Sequence, residues 1–132
     1  ARLAIAHGAA AIGLVSAMPS GPGVIADDLI AAIARAVPPA IATFLLTSRI
    51  DPAAIVAQAR EARTTTVQLV DAVADSAYGE IRRALPELKI VQVIHVRDDG
   101  AVEEASRVAP LVDALLLDSG NPGDAVKELK LI

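Results

Sequence analysis

Asp118 is the residue in this sequence best placed to do chemistry. It closes the run VDALLLD over residues 112–118, and Ser119, Gly120, Asn121, Pro122 and Gly123 follow at once. A short apolar run bounded by turn residues reads as a fully buried strand. In parallel α/β sheets the chemistry lies at the carboxyl ends of the strands. A carboxylic acid there can donate a proton if burial raises its pKa. It can equally bond the backbone N–H groups of its own turn. Asp71 ends the run TVQLV over residues 66–70 in the same way. Two carboxylates would then face one rim, and carboxylates that share a site push each other's pKa apart. His95, beside the end of KIVQVIHV over residues 89–96, is either an acid, base or ligand, or a rim residue satisfied by a neighbour. Gln68 and Gln92 lie inside strands. They either reach a substrate from a barrel interior or bond to each other or to water. Gly21-Pro22-Gly23 would let backbone approach a phosphate, but a lone G-x-G that does not open directly into a helix is also a plain loop. His7 reads as a partner for a helix C-terminal dipole.

The elements that must carry these residues alternate along the chain. Residues 1–9 are Ala-rich and read as the last turns of a helix capped by Gly8. Residues 11–15 (AIGLV) are a short strand, and SAMPSGPGV over 16–24 is a loop. A helix follows over 26–37, with Leu29, Ile30, Ile33 and Val37 at helical spacing and Asp27 and Asp28 in its first turn; Pro38-Pro39 stops it. Residues 41–46 are the next strand. Ser48 or Asp51 then caps a helix that runs to about residue 62, with Pro52 pre-set for its first turn. After the strand at 66–70, a helix opens at Asp75 or Ser76, runs through Leu85 and ends at Pro86. The run at 89–96 is continuous enough to be buried on both faces. A helix over 98–108, stopped by Pro110, precedes the strand at 112–117. Residues 124–129 suggest one or two further helical turns.

Strict alternation of strand and helix implies parallel strands joined by right-handed crossovers. That leaves an open doubly wound sheet or a piece of a (β/α)8 TIM barrel. The even quality of the strands favours the barrel. Such barrels typically take about 200 residues or more, so residues 1–132 are expected to form one partial barrel domain of a longer product. The start at Ala1, inside a helical pattern, agrees with that expectation.

Composition narrows the function classes. At 54% hydrophobic residues the chain is not a disordered one. No apolar run approaches the ~20 residues that span a membrane, and no leader with a cleavage site is recognised. The net charge is −4, with scattered basic residues, one Phe, one Tyr and no Trp. That leaves no surface on which to stack bases, so no nucleic acid is expected as a partner. The absence of Cys removes disulfides, thiolate metal sites and a thiol nucleophile from this stretch, and fits a cytoplasmic location. No cofactor and no metal are expected.

Several segments, in order, resemble one family. AHGAAAIGLV over 6–15 is similar to the "G-A-D-A-I-G-F-V-F" opening of phosphoribosylanthranilate isomerase, the (β/α)8 enzyme of tryptophan biosynthesis. Val37-Pro38-Pro39 resembles its "L-P-P", and TFLLTS over 43–48 followed by Asp51-Pro52 resembles its "G-V-F-V-N…P-E". Val67-Gln68-Leu69 resembles "V-Q-L-H-G". QVIHV over 92–96 resembles "I-K-A-I-R-V". LLLDS over 115–119 with Pro122 resembles "L-L-D-S…P". The likeness covers roughly the family's second to sixth strands. It implies an Amadori rearrangement of a phosphorylated sugar amine, without a cofactor, and a homodimer is the assembly considered. It also implies that Asp118 is the general acid, with Gly23, Gln68, Asp71 and Gln92 at substrate-binding positions.

The chain departs from the family pattern at other positions. The family's loop Arg falls at about Gly23, its His at Val70, the following Gly at Asp71 and its strand Lys at Gln92. Its Gly-rich phosphate loop does not follow Lys127-Glu128-Leu129, and the strand that carries its Cys base precedes this stretch. The alternative is a diverged barrel homologue that binds a small phosphorylated ligand or acts as an interaction module. A third reading is another phosphate-binding barrel isomerase or epimerase. Asp118 with Pro122 also resembles the phosphoacceptor segment of response-regulator receivers. There, however, the acceptor strand is third, after a paired acid that has no counterpart here.

Overall fold

The computed structural model describes residues 1–19 and 23–120. Its elements are α1 (Arg2–Ala6), β1 (Ala11–Val15), α2 (Asp27–Ala36), β2 (Ala42–Thr47), α3 (Pro52–Ala62), β3 (Thr66–Leu69), α4 (Asp75–Ala84), β4 (Lys89–His95), α5 (Gly100–Val108), a 3-10 turn (Ala109–Leu111) and β5 (Ala114–Asp118). The turns expected over 124–129, and Ser20, Gly21 and Pro22 of the loop, lie outside the described residues.

All five strands form one parallel sheet in the order β1-β2-β3-β4-β5. This order decides between the two architectures. A doubly wound sheet reverses direction at a switch point. Here every crossover advances to the next strand, so right-handed connections put all the helices on one face. The sheet is therefore a portion of a (β/α)8 barrel, as the alternation and the family resemblance imply.

The register separates the two faces. Ile12, Leu14, Leu45, Val67, Leu69 and Ile90 point to the helices and join Ile30, Ile55, Ala59, Tyr78 and Ile81 in the core. Ile30, Leu45, Ile55, Val67, Leu69, Ile81 and Ile90 are all fully buried, and each such side chain contributes about 1.5–3 kcal/mol. The opposite, inner face carries Phe44, Leu46, Gln68, Val91, Val93, His95 and Asp118. In β4 both faces are covered from Ile90 to Ile94, as its unbroken apolar run suggests.

The strand that ends at Asp118 is not the fully buried strand expected from its sequence. Leu116 and Leu117 are 38% and 65% exposed. β5 is the last strand of the described sheet, so its outer edge has no described neighbour. It also starts at Ala114, because Val112 and Asp113 are used before it. The Asp113 carboxylate accepts from the Ile90 N–H (2.8 Å) and from Arg82 (3.2 Å). Pro110 does not stop the chain sharply either. It lies in the 3-10 turn that follows α5.

Local signals explain most boundaries. Asp51 caps α3 by accepting from the Ala54 N–H at 2.9 Å, with Pro52 opening the helix. Ser48 instead donates to the Ala17 carbonyl. Gly8 follows α1 at φ +88°, and His7 Nδ1 donates to the Leu3 carbonyl at 2.9 Å, so the histidine does serve the helix end.

Candidate active site

The carboxyl ends of the strands converge on a pocket of about 420 Å³ lined by Met18, Pro19, Ser48, Val70, Asp71, His95 and Asp118. These residues follow or end β1, β2, β3, β4 and β5. The two candidate carboxylates therefore do share one rim. Asp118 is the last residue of β5, and its carbonyl accepts from the Val96 N–H at 2.7 Å. Its Oδ1 accepts from the Gly120 N–H at 2.9 Å, the local turn bond that its setting before Ser-Gly suggests. Oδ2 accepts no hydrogen bond among the described residues, and the side chain is 49% exposed.

His95 pairs in register with Asp118 on the adjacent strand. Its Nε2 lies 2.8 Å from the Val70 carbonyl. A carbonyl only accepts, so Nε2 carries a hydrogen. Its Nδ1 lies 3.8 Å from Asp118 Oδ2 and is buried with no hydrogen-bond partner among the described residues. His95 and Asp71 also line a second space of about 380 Å³, together with Arg97, Asp98 and Glu104.

Gln68 and Gln92 do not meet. Gln68 pairs with Val91, and Gln92 pairs with Leu69, so the two side chains leave opposite faces of the sheet. Gln68 is half-buried on the inner face, below Val70. Gln92 faces the helices and is 1% exposed. Its Oε1 accepts from the Tyr78 hydroxyl (2.7 Å), and its Nε2 donates to the carbonyls of Leu69 (3.2 Å), Asp71 (3.1 Å) and Val93 (3.1 Å). Its hydrogen-bonding groups are spent inside the fold, so it holds the Asp71 loop from behind and does not reach the rim. Burial, with Asp75 nearby, pushes the Tyr78 hydroxyl up to about 12, so it stays a donor throughout the neutral range.

Gly23 sits at φ +86° with open space around it. It fits a tight turn and brings no side chain to the site. Gly21 and Pro22 of the phosphate-loop reading, and Asn121, Pro122, Gly123 and the 127–129 segment after Asp118, lie outside the described residues. Among the described residues no group of three or more His, Cys, Asp or Glu is placed to hold a metal ion. No helix among them is long and apolar enough to cross a membrane.

Met18, Pro19 and Ser48 were not legible as site residues. Nothing in their types marks them, and only the sequential strand order brings the ends of β1 and β2 to the rim. The nearness of His95 to Asp118 did have a signal. Both stand at the ends of neighbouring strands on residues of matching parity.

No family model matches the chain. Over 114 residues it is 29% identical to the N-(5'-phosphoribosyl)anthranilate isomerase of Methanocella arvoryzae, an alignment that covers 86% of this chain and 54% of that protein. The phosphoribosyl anthranilate isomerase of Thermus thermophilus superposes with a TM-score of 0.76 at 26% identity, over 93% of this chain and 58% of that one. The enzyme of Thermotoga maritima superposes with a TM-score of 0.79 at 20% identity, over 93% and 57%. The chain thus spans about half the length of the curated relative it matches. The resemblance read from the ordered motifs holds in sequence and in fold.

Proposed function

We propose that this chain carries the general-acid portion of an aldose–ketose isomerase site, acting on a phosphoribosyl amine of the anthranilate type. The observation that carries this reading is the position of Asp118, which ends a barrel strand and lines a pocket built from strand ends. An isomerase of this fold has been solved in complex with reduced 1-(o-carboxyphenylamino)-1-deoxyribulose 5-phosphate, at a TM-score of 0.70. That supports a sugar phosphate of this size as the ligand class.

In the reaction, an acid protonates the furanose ring oxygen as its C–O bond breaks, and a base removes the C2 proton. Asp118 supplies the first proton. In the family this chain resembles, the base is a Cys on the strand before the one that β1 matches. Asp71 lines the pocket that would hold the opened sugar, and Gln68 stands deeper on the same inner face of β3. The Gly23 turn lets backbone approach the phosphate side. A homodimer fits this reading, since the Thermotoga maritima enzyme is described as dimeric.

The test is steady-state isomerase turnover by the full-length gene product. Asp118→Asn is expected to lower kcat by about 10²–10⁴, the usual worth of a positioned acid. Unchanged turnover in that variant would overturn the assignment. A second reading, a diverged barrel that binds a small phosphorylated ligand, is favoured by the burial of Gln92, which stands where the family has its strand Lys. Under that reading the full-length protein binds the reduced product analogue but does not turn over the substrate.

A further inference from the structure

As a general acid, Asp118 needs a supply of protons. A carboxyl that gives up a proton in each turnover must regain one before the next, and a neighbouring side chain able to carry protons shortens that path.

His95 is placed to do this. The Val70 carbonyl takes the Nε2 hydrogen at 2.8 Å, which leaves Nδ1 as the ring nitrogen that gains and loses a proton. Nδ1 is buried, without a partner among the described residues, and faces Asp118 Oδ2 at 3.8 Å. The Gly120 N–H holds Oδ1, so Oδ2 is the oxygen free to carry the proton. Val70 reaches His95 from the end of β3, and Asp118 from β5. The other charged groups around the ring are Asp71 before α4, Arg97 and Asp98 after β4, and Glu104 on α5. Of all these groups, only Asp118 is within 4 Å of the ring as an ion pair.

We propose that His95 is a positioning residue that stores the proton of Asp118, exchanging it between Nδ1 and Oδ2. The exchange is balanced. Imidazolium and carboxylate become neutral imidazole and carboxylic acid. The acid then forms an O–H bond to the ring oxygen of the sugar while the C–O electron pair moves to that oxygen. Asp118 is left as carboxylate and His95 neutral, and water recharges the pair. The step needs the 3.8 Å gap to close to hydrogen-bond length, and catalytic bonds often are long in the absence of substrate.

This inference rests on the isomerase reading for its chemistry, but its first test does not. Imidazole ¹⁵N shifts of His95 in the full-length protein are expected to show the Nε2–H tautomer at high pH and protonation of Nδ1 on acidification. In Asp118→Asn the protonation midpoint is expected to fall, since the anion facing Nδ1 across 3.8 Å is gone. The Nδ1–H tautomer, or an unmoved midpoint, would overturn the proposal even in an active isomerase. A moved midpoint in a protein without turnover would sustain the pair and remove the isomerase reading.

The second test uses His95→Gln, whose amide keeps a donor for the Val70 carbonyl but has no nitrogen facing Asp118. It is expected to lower kcat at pH 7 at least tenfold, with KM little changed. The alkaline fall of the kcat profile is expected to move to lower pH. Full kcat in His95→Gln would show a purely structural role and overturn the proposal.

Discussion

Asp118 owes its chemical interest to where its strand ends. One of its oxygens is taken by a turn bond to Gly120, and the other accepts no hydrogen bond among the described residues. Gln92 is the contrasting case. Its place inside β4 left two directions open, and the register shows that it turns away from the site. A period-two pattern gives no help when both faces of a strand are apolar, as they are from Ile90 to Ile94. Its partner Tyr78 provides a test. Tyr78→Phe leaves Gln92 Oε1 without its donor and is expected to cost about 1–3 kcal/mol at neutral pH by urea denaturation. The Tyr78 hydroxyl is raised to about 12 in the folded chain from an ordinary value of 10. The folded state therefore holds this proton more tightly. The stability it adds is full below pH 10 and is lost as pH rises toward 12. The gap between wild type and Tyr78→Phe is expected to shrink over that window.

At the level of elements, the polar joints between strands and helices are what the sequence concealed. Asp27 reads as a first-turn acid of α2. It also accepts from Gln58 on α3 (3.1 Å) and pairs with Arg49 (3.6 Å), while Gln58 accepts from Thr47 at the end of β2 (2.7 Å). No local spacing encodes a contact among three elements. The cap of α3 was legible, because Asp51-Pro52 is a local signal. Asp51→Ala is expected to cost about 0.5–2 kcal/mol, read as a lowered thermal midpoint. Asp113 works across a longer distance, joining β5 to β4 and α4. The Ile90 N–H first, and Arg82 with it, hold its carboxyl below the usual carboxylate range despite some burial. A lowered folded pKa means that its contribution is present above the ordinary carboxylate value and is lost as pH falls through the folded one. Asp113→Ala is expected to cost about 1 kcal/mol at pH 7, and the difference from wild type should vanish in acid, as followed by circular dichroism during urea titration.

For the whole molecule, the alternation of strands and helices was enough to read a parallel α/β fold, and the ordered motifs were enough to choose the barrel. Exposure was not legible, because LLLD reads the same whether or not another strand lies beside it. Leu116 and Leu117 on the last described strand show the result. A strand edge with apolar side chains invites pairing with another chain. The 132-residue chain is accordingly expected to self-associate at micromolar concentration, and Leu117→Lys to lower the associated fraction in sedimentation. The sequential order of the sheet has a consequence for how the chain reaches this state. Phe44 pairs with Thr66, Thr66 with Lys89 and Val91 with Ala114, so no strand waits for a partner more than one crossover away. Closing short loops costs less entropy than closing long ones. Structure can therefore nucleate at the most completely buried pair, β3 with β4, and spread outward one unit at a time. The His95–Asp118 pair is then set as soon as β5 docks on β4, whereas the Met18 and Pro19 side of the rim waits for β1, two steps from the nucleus.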